Sequence, residues 1–78
     1  MSNQDEILVF GENVKKLRKK ENLSKKEMAD IMGVGVRSVT MLENGVLPLR
    51  LDVKALQRLS LRFGIKIEDL FSEIPEND

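Results

Sequence analysis

The segment from Ser24 to Gly45, SKKEMADIMGVGVRSVTMLENG, constrains the fold most, because its small residues recur where two short helices would cross closely. Ser24 followed three residues later by Glu27 is the pattern of a capping box, which marks the start of a helix. Gly33 marks the end of that helix, because a residue without a β-carbon readily enters the left-handed conformation. The segment therefore predicts a helix over 25–32 and a tight turn after it.

A second helix is predicted directly after the turn. Gly35 permits a new start, and Val39 and Leu42 lie three residues apart on one helical face. Asn44 and Gly45 then end the pattern, which predicts a helix over 36–44. The small side chain of Ala29 leaves room for this helix to cross the preceding one. The predicted core of the helix pair consists of Ala29, Gly33, Val39 and Leu42.

This spacing resembles the Cro and phage-repressor (XRE-type) family of bacterial regulators. The matching residues are Ser24, Ala29, Gly33, Val39, Glu43, Asn44 and Gly45. The likeness extends to residues 13–24 as the first helix with its junction, and to residues 59–71 as the last two helices. The resemblance implies a helix-turn-helix, lambda-repressor-like fold that binds double-stranded DNA.

Periodic apolar residues extend the expected architecture to five helices. A first helix over 5–21 is predicted from residues that recur at intervals of three and four: Ile7, Phe10, Val14 and Leu17. Asp52 caps a fourth helix that stops at Gly64, and residues 67–71 fit a short fifth one. We therefore predict an all-α, compact five-helix bundle. It forms a single domain over 1–78, with an ordered core over about 6–73 and an acidic tail over 74–78.

Composition argues against catalysis and against a bound metal or cofactor. The chain has no cysteine and no histidine, which removes thiolate ligands, the commonest metal ligand and the commonest general base. The carboxylates of Glu27, Asp30 and Glu43 are explained by helix capping and ion pairing. The longest apolar run, residues 7–10, is too short to span a membrane, and we expect no signal peptide and no small-molecule site. The expected location is the cytoplasm, in association with the nucleoid.

Charge is separated along the chain although it sums to zero, with 13 Lys plus Arg against 13 Asp plus Glu. Seven of the cations lie between residues 14 and 26, whereas residues 68–78 contain no Lys or Arg. The side chains of Lys15, Lys16, Lys19 and Lys20 point away from the apolar stripe of helix one. They are interpreted either as a solvated face or as phosphate contacts, and both interpretations add to a field that steers DNA.

The resemblance implies which residues would contact DNA. The base-reading candidates, on the outward ridge of helix three, are Val36, Arg37, Thr40 and Met41. The phosphate-contact candidates are Arg18, Lys25, Lys26, Asn44, Gly45 and Arg50. Arg37 is the strongest base reader among them, and Met41 is interpreted equally as a thymine reader or as a neutral spacer or protein contact.

The resemblance also implies an ion pair between Arg18 and Glu43 that bridges helix one to helix three and leaves the guanidinium able to face a phosphate. The alternative is an unrelated surface pair of little energetic value.

Apolar residues outside the helical stripes suggest a protein partner. Leu47 and Leu49 lie in the loop after helix three, where they are interpreted either as tucked onto helix four or, with Leu61, as an exposed patch. A homodimer fits best, with its interface on helices four and five or on the loop.

The resulting function prediction is a transcriptional regulator that binds a palindromic operator, and repression is expected rather than activation. An antitoxin or a host regulator would share the scaffold. The competing hypothesis is a protein-interaction module with weak or lost DNA binding.

Overall fold

The computed structural model describes residues 3–49 and 51–74, and these residues form an all-helical fold without strands. The helices are α1 (Asn3–Lys20), α2 (Lys25–Met32), α3 (Val36–Glu43), α4 (Val53–Phe63) and a 3₁₀ helix (Ile67–Phe71). α1 packs against α3 and the 3₁₀ helix, while α2 packs against both α3 and α4. None of the helices in this part of the chain combines the length and apolar character that a bilayer span requires.

The start and end of α2 follow from local chemistry, as the sequence predicts. The Ser24 hydroxyl accepts a hydrogen bond from the Glu27 amide at 3.0 Å, and the Glu27 carboxylate accepts one from the Ser24 amide at 2.7 Å. These two bonds complete the capping box. At the other end Gly33 has φ 74°, and the amide of Val34 bonds to the carbonyl of Ala29 at 3.0 Å. The left-handed residue thus closes the helix and starts the turn toward α3.

Three predicted helix boundaries shift slightly in the structure. α1 begins two residues earlier than expected and ends at Lys20 rather than at Glu21. Its chain reversal uses Asn22, which has φ 57°, and the Leu23 amide bonds back to the Arg18 carbonyl at 2.9 Å. α3 ends at Glu43, and Asn44 is its C-cap rather than its last helical residue. Asparagine tolerates the left-handed region better than most residues, which explains why α1 ends there without a glycine.

The fifth helix of the predicted bundle is wrong in type, so the count of five α-helices is also wrong. Residues 67–71 form a 3₁₀ helix, in which the Asp69 amide bonds to the Lys66 carbonyl at 2.9 Å. The segment is only 5 residues long and has no side-chain cap. Such short segments favour the tighter i to i+3 hydrogen-bond pattern. The described residues therefore contain four α-helices and one 3₁₀ helix, and the all-α class is confirmed.

The core is formed by one apolar face from each helix. Its buried side chains are Phe10, Val14, Leu17, Met28, Ala29, Met32, Val39, Leu42, Ala55, Leu59 and Leu70. The Phe10 ring stacks on the ring of Phe71, with 5.0 Å between centroids. This contact joins α1 to the 3₁₀ helix and adds about 1 kcal/mol beyond the burial of the two rings.

Asn13 is the buried polar side chain of this core, with no exposed area. Its Nδ2 donates to the carbonyl oxygens of Leu70 and Ser72, both at 2.7 Å, and its Oδ1 accepts from the Ile74 amide at 3.3 Å. One carboxamide thereby pairs with the backbone of the 3₁₀ helix and of the residues that follow it. We call this set of three bonds the Asn13 clamp. It attaches residues 70–74 to α1.

Asn13→Ala is expected to lower the free energy of unfolding by about 2 kcal/mol, because one buried and two partly buried backbone groups lose their partner. Urea unfolding followed by circular dichroism measures this change. Asn13→Gln is the matched variant, since it keeps the carboxamide but displaces it by one methylene, and we expect most of the loss to remain. A change below about 0.5 kcal/mol for Asn13→Ala would contradict the energetic role of the clamp.

The clamp also corrects the predicted position of the tail. Ile74, which we predicted as the first residue of the acidic tail, is half-buried against the core, and its carbonyl accepts a hydrogen bond from Lys16 Nζ at 3.1 Å. Lys16 therefore does not point fully into solvent as predicted for this face. The remaining tail, residues 75–78, lies outside the described residues.

Candidate nucleic-acid interface

α3 has two contrasting faces. Val39 and Leu42 are completely buried, whereas Arg37 and Asn44 are exposed and Val36 is 40% exposed. Thr40 and Met41 are half-buried, and so is Ser38. The base-reading candidates thus share one accessible ridge, with Arg37 as its charged member.

The N-terminus of α2 is the second part of the candidate interface. Lys25 is half-buried and Lys26 is exposed, and both lie in the first turn of the helix. The first amides of a helix point outward and carry partial positive charge, so an anion is favoured there. Lys26 also approaches Asp30, with 3.6 Å between Nζ and Oδ1, but both side chains are largely exposed. Such a pair is weak and leaves the ammonium accessible.

Arg18 and Glu43 form an ion pair that joins α1 to the end of α3. Arg18 Nε lies 2.6 Å from Glu43 Oε2, and Nη2 donates to Oε1 at 3.0 Å. Nη1 donates to the Leu23 carbonyl at 3.0 Å. The two side chains are 12% and 5% exposed, respectively. The bidentate geometry fixes the orientation of α3 relative to α1 more firmly than a single contact would.

The surroundings of Arg18 limit its availability to a phosphate. Three of its five N–H groups are occupied by Glu43 and Leu23, and little of the side chain is exposed. The hydrogen bonds that Arg18 donates to the Glu43 carboxylate raise the pKa of Arg18 further above its already high ordinary value. The stabilisation that accompanies a raised pKa is fully present below the ordinary pKa of arginine, and it is lost only as the pH rises through the higher pKa of the folded state. The ion pair therefore persists throughout the neutral range, and it connects α1 to the end of α3.

Comparison with known proteins gives the family. A helix-turn-helix family model matches residues 14–70 of the chain, from the middle of α1 to the 3₁₀ helix. The chain belongs to the XRE-type helix-turn-helix family, of the Cro and phage-repressor kind. This is a family of DNA-binding regulators. Searches of curated proteins and of solved structures gave no significant match.

A feature of this XRE-type domain that sequence reasoning missed is the close contact between α1 and α3 at Gly11. A β-carbon built on Gly11 would overlap the carbonyl oxygen of Leu42 and lie 2.9 Å from its carbonyl carbon. Gly11 is buried inside a long helix, where glycine is otherwise unfavourable. An isolated glycine within an apolar helical pattern is a signal that another backbone approaches. Gly11 and the Arg18 ion pair thus position the end of α3 from two points along α1.

Two further contacts of the XRE-type domain join α4 to the end of α2 and to the turn after α1. Arg58 Nη1 donates to the carbonyl of Met32 at 3.3 Å, and Arg62 Nη2 donates to Glu21 Oε1 at 2.7 Å. The sequence contains no spacing that relates these residues, since their partners are separated by 26 and 41 positions. Asn13, in contrast, follows Phe10 by three residues and so falls within the predicted apolar stripe. A polar side chain in that stripe is a signal of a buried hydrogen-bonding residue, so Asn13 could have been identified from the sequence.

The loop after α3 differs from one of the two predicted arrangements. Leu49 is fully exposed and Leu47 is 51% exposed, so neither is tucked onto α4. Leu51 is the leucine that packs against the core, and Pro48 is buried. The exposed apolar side chains of this region are called the loop patch: Val46, Leu47, Leu49 and Val53. Arg50, the predicted phosphate contact in this loop, lies outside the described residues.

The remaining predicted residues of the XRE-type domain have varied surroundings. Gly45 is half-buried with φ 79°, and Leu8 of α1 lies close to its Cα. Lys19 and Lys20 are exposed, whereas Lys15 is half-buried. Leu61, on α4, is 85% exposed. Within residues 3–49 and 51–74 no group of acidic side chains is arranged to bind a metal ion.

Proposed function

We propose that this protein is a sequence-specific transcriptional regulator that represses by binding a palindromic operator as a homodimer. The observation that carries the proposal is the ridge of α3, which presents Arg37 while its opposite face, Val39 and Leu42, is fully buried. A helix of this kind fits the major groove of DNA. Arg37 can donate two parallel hydrogen bonds to a guanine edge, and exposed Val36 can contact a thymine methyl group.

Phosphate contacts would set the orientation of α3 on the duplex. Lys25 and Lys26 combine their charges with the free amides of α2, and Asn44 contributes its exposed side chain at the other end of α3. The amide of Gly45 already donates to the Leu42 carbonyl at 2.9 Å, so Gly45 contributes less than predicted. Arg18 supports α3 through Glu43, so we assign it mainly a supporting role. Because the chain has zero net charge, the attraction to DNA depends on this local concentration of cations rather than on the overall charge.

A salt titration tests DNA binding directly. Fluorescence anisotropy with an operator duplex, obtained by selection from random sequences, should show an affinity that falls steeply as salt increases. Lys25→Ala should reduce the slope of log K against log salt by about one, because one phosphate contact is removed. Lys66→Ala is the matched control, since Lys66 is exposed between α4 and the 3₁₀ helix, and its slope should stay unchanged.

Sequence readout is tested by Arg37→Ala in the same assay. We expect a loss of about 1–3 kcal/mol for the selected operator and little change for random DNA, because a base contact rather than a phosphate contact is removed. An equal loss on both duplexes would reassign Arg37 to the phosphate backbone. Absence of binding to either duplex at about 50 mM salt would favour the protein-interaction module instead.

The proposed dimer uses the loop patch. Its four side chains are exposed and apolar. Among the described residues of the loop, Asp52 is the acidic one. A two-fold axis brings a surface against itself, so an apolar patch is a suitable self-contact. The patch also follows α3 directly in the chain. A two-fold axis there keeps the two α3 helices near each other, as half-sites about one helical turn apart require.

Analytical ultracentrifugation tests this interface. Wild-type protein should dimerise, and Leu49→Glu should shift it to monomer and weaken operator binding at least about tenfold, because a charge is placed in an apolar contact. Leu61→Glu is the matched control, since it introduces the same charge at an exposed leucine outside the loop patch. A wild-type monomer at about 100 μM that binds DNA with one protein per site would contradict the dimer.

A further inference from the structure

Leu61 lies on an exposed surface of α4 that the proposed function does not use. Although it was grouped with Leu47 and Leu49 in the sequence-based prediction, it is separate from the loop patch. Leu61 is two helical turns beyond Val53, which corresponds to about 12 Å along the helix axis. The principal packing partners of α4 are α2 and the 3₁₀ helix, not α3. The predicted patch therefore divides into two surfaces.

A regular row of cations runs beside Leu61. Lys54, Arg58 and Arg62 are spaced by four residues, so they follow one another along the exposed side of α4 over about 12 Å. We call these three residues the basic row. Arg58 and Gln57 precede Leu61 by three and four residues and are its direct neighbours on the helix surface. Leu61, at 85% exposed, is therefore an apolar side chain next to a line of positive charge.

Two members of the basic row are held in place by the protein. Arg58 is bonded to the Met32 carbonyl, and Arg62 is bonded to Glu21 and lies over the Phe63 ring at 5.0 Å from its centroid. Glu21 offsets one of the three charges. The Arg62 side chain nevertheless remains 43% exposed. Guanidinium groups oriented in this way lose less conformational entropy when they bind a carboxylate.

Charge decides which partner this surface fits. α4 itself, residues 53–63, contains three basic and no acidic residues. A second copy would bring the same basic row against itself across a two-fold axis, which like charges oppose. A nucleic acid would match the charge but would leave Leu61 without an apolar partner. We infer that the surface formed by Leu61, Gln57 and the basic row binds an acidic amphipathic helix of a partner protein.

The binding mode follows from the spacing of the row. A partner helix lying along α4 can place carboxylates at positions i, i+4 and i+8 opposite the basic row, with leucines on the adjacent stripe covering Leu61. Apolar burial would supply most of the affinity, and the charges would supply orientation and selectivity. This inference does not depend on operator binding, because it concerns a different surface of the domain.

A synthetic peptide provides the test. The probe is a 16-residue helical peptide with glutamates at i, i+4 and i+8 and leucines on the adjacent stripe, and binding to the full chain is followed by fluorescence anisotropy and ¹⁵N chemical shifts. We expect shifts concentrated at residues 54–62. Leu61→Ser should weaken binding at least about tenfold, because the buried leucine is lost. Lys54→Glu should weaken it about threefold to tenfold, because one attraction becomes a repulsion.

Matched controls distinguish the outcomes. Lys66→Glu makes the same charge change outside the basic row and should leave peptide affinity unchanged. A peptide with lysines in place of the glutamates should bind at least tenfold more weakly, and so should one with its leucines scattered around the helix. Equal binding of either peptide, or unchanged affinity of Leu61→Ser, would overturn the inference. So would an effect of Lys54→Glu on operator affinity as large as its effect on the peptide, which would assign the row to DNA phosphates. The operator assay therefore reports separately on the proposed DNA-binding function.

Discussion

Gly11→Ala is expected to destabilise the domain by about 2–3 kcal/mol, because the added methyl group would overlap the backbone carbonyl of Leu42. The direction of the stability change is informative, since a glycine-to-alanine change inside an ordinary helix stabilises that helix by about 0.5–1 kcal/mol through helix propensity. The obstacle is a backbone atom rather than the flexible end of a side chain. α1 and α3 must therefore separate to accommodate it.

Urea and thermal unfolding measure this effect, with an expected fall in Tm of roughly 10–20 °C for a domain of this size. Glu12→Ala is the matched control, because Glu12 is the exposed neighbour of Gly11 on the same helix. It should change the free energy of unfolding by less than about 0.5 kcal/mol. A stabilised Gly11→Ala variant would mean that α1 and α3 are not in close backbone contact.

Glu43→Ala is expected to cost about 3 kcal/mol, because it leaves the Arg18 charge largely buried without its carboxylate. Operator affinity should fall in parallel, on the order of tenfold, since the end of α3 loses the bond that fixes its position. Unfolding curves and the anisotropy assay measure the two effects on the same protein. The operator measurement is made well below the Tm of the variant, so that the folded fraction stays close to one.

The exposed pair of Lys26 and Asp30 provides the comparison. Its 3.6 Å contact lies between side chains that are 75% and 69% exposed. Asp30→Ala should therefore change stability by no more than about 0.5 kcal/mol. A double-mutant cycle of Arg18→Ala and Glu43→Ala isolates the coupling between the buried partners. If Glu43→Ala leaves both stability and operator affinity unchanged, the ion pair does not support α3.

The parts of the fold that local chemistry determines could be predicted from the sequence. The capping box of Ser24 and Glu27 and the left-handed Gly33 involve residues at most a few positions apart, so the bounds of α2 were predictable. Family resemblance paired Arg18 with Glu43, across 25 positions. The exposed ridge of α3 followed from helical periodicity, because Val39 and Leu42 identify the opposite face.

Other contacts depend on how the helices pack and could not be obtained in this way. Periodicity does not distinguish a 3₁₀ helix from an α-helix over five residues, and the last element was mistaken for that reason. The fully exposed Leu49 was also open to two interpretations, because an apolar loop residue carries no signal of its direction. Gly11 and Asn13 did carry signals, one as a glycine and one as an amide within an apolar stripe. Their partners, Leu42 and residues 70–74, emerge only from the packed structure.

The Asn13 clamp has a consequence for the order in which the chain acquires structure during synthesis. Its three bonds connect residue 13 to residues 57, 59 and 61 positions later. α1 is translated early, yet the carboxamide of its Asn13 side chain has no partner until residues 70–74 have left the ribosome. Ordering such a distant pairing is slow compared with forming the local turn between α2 and α3. Nascent chains arrested before residue 70 should therefore contain the helix-turn-helix segment without a fully protected α1.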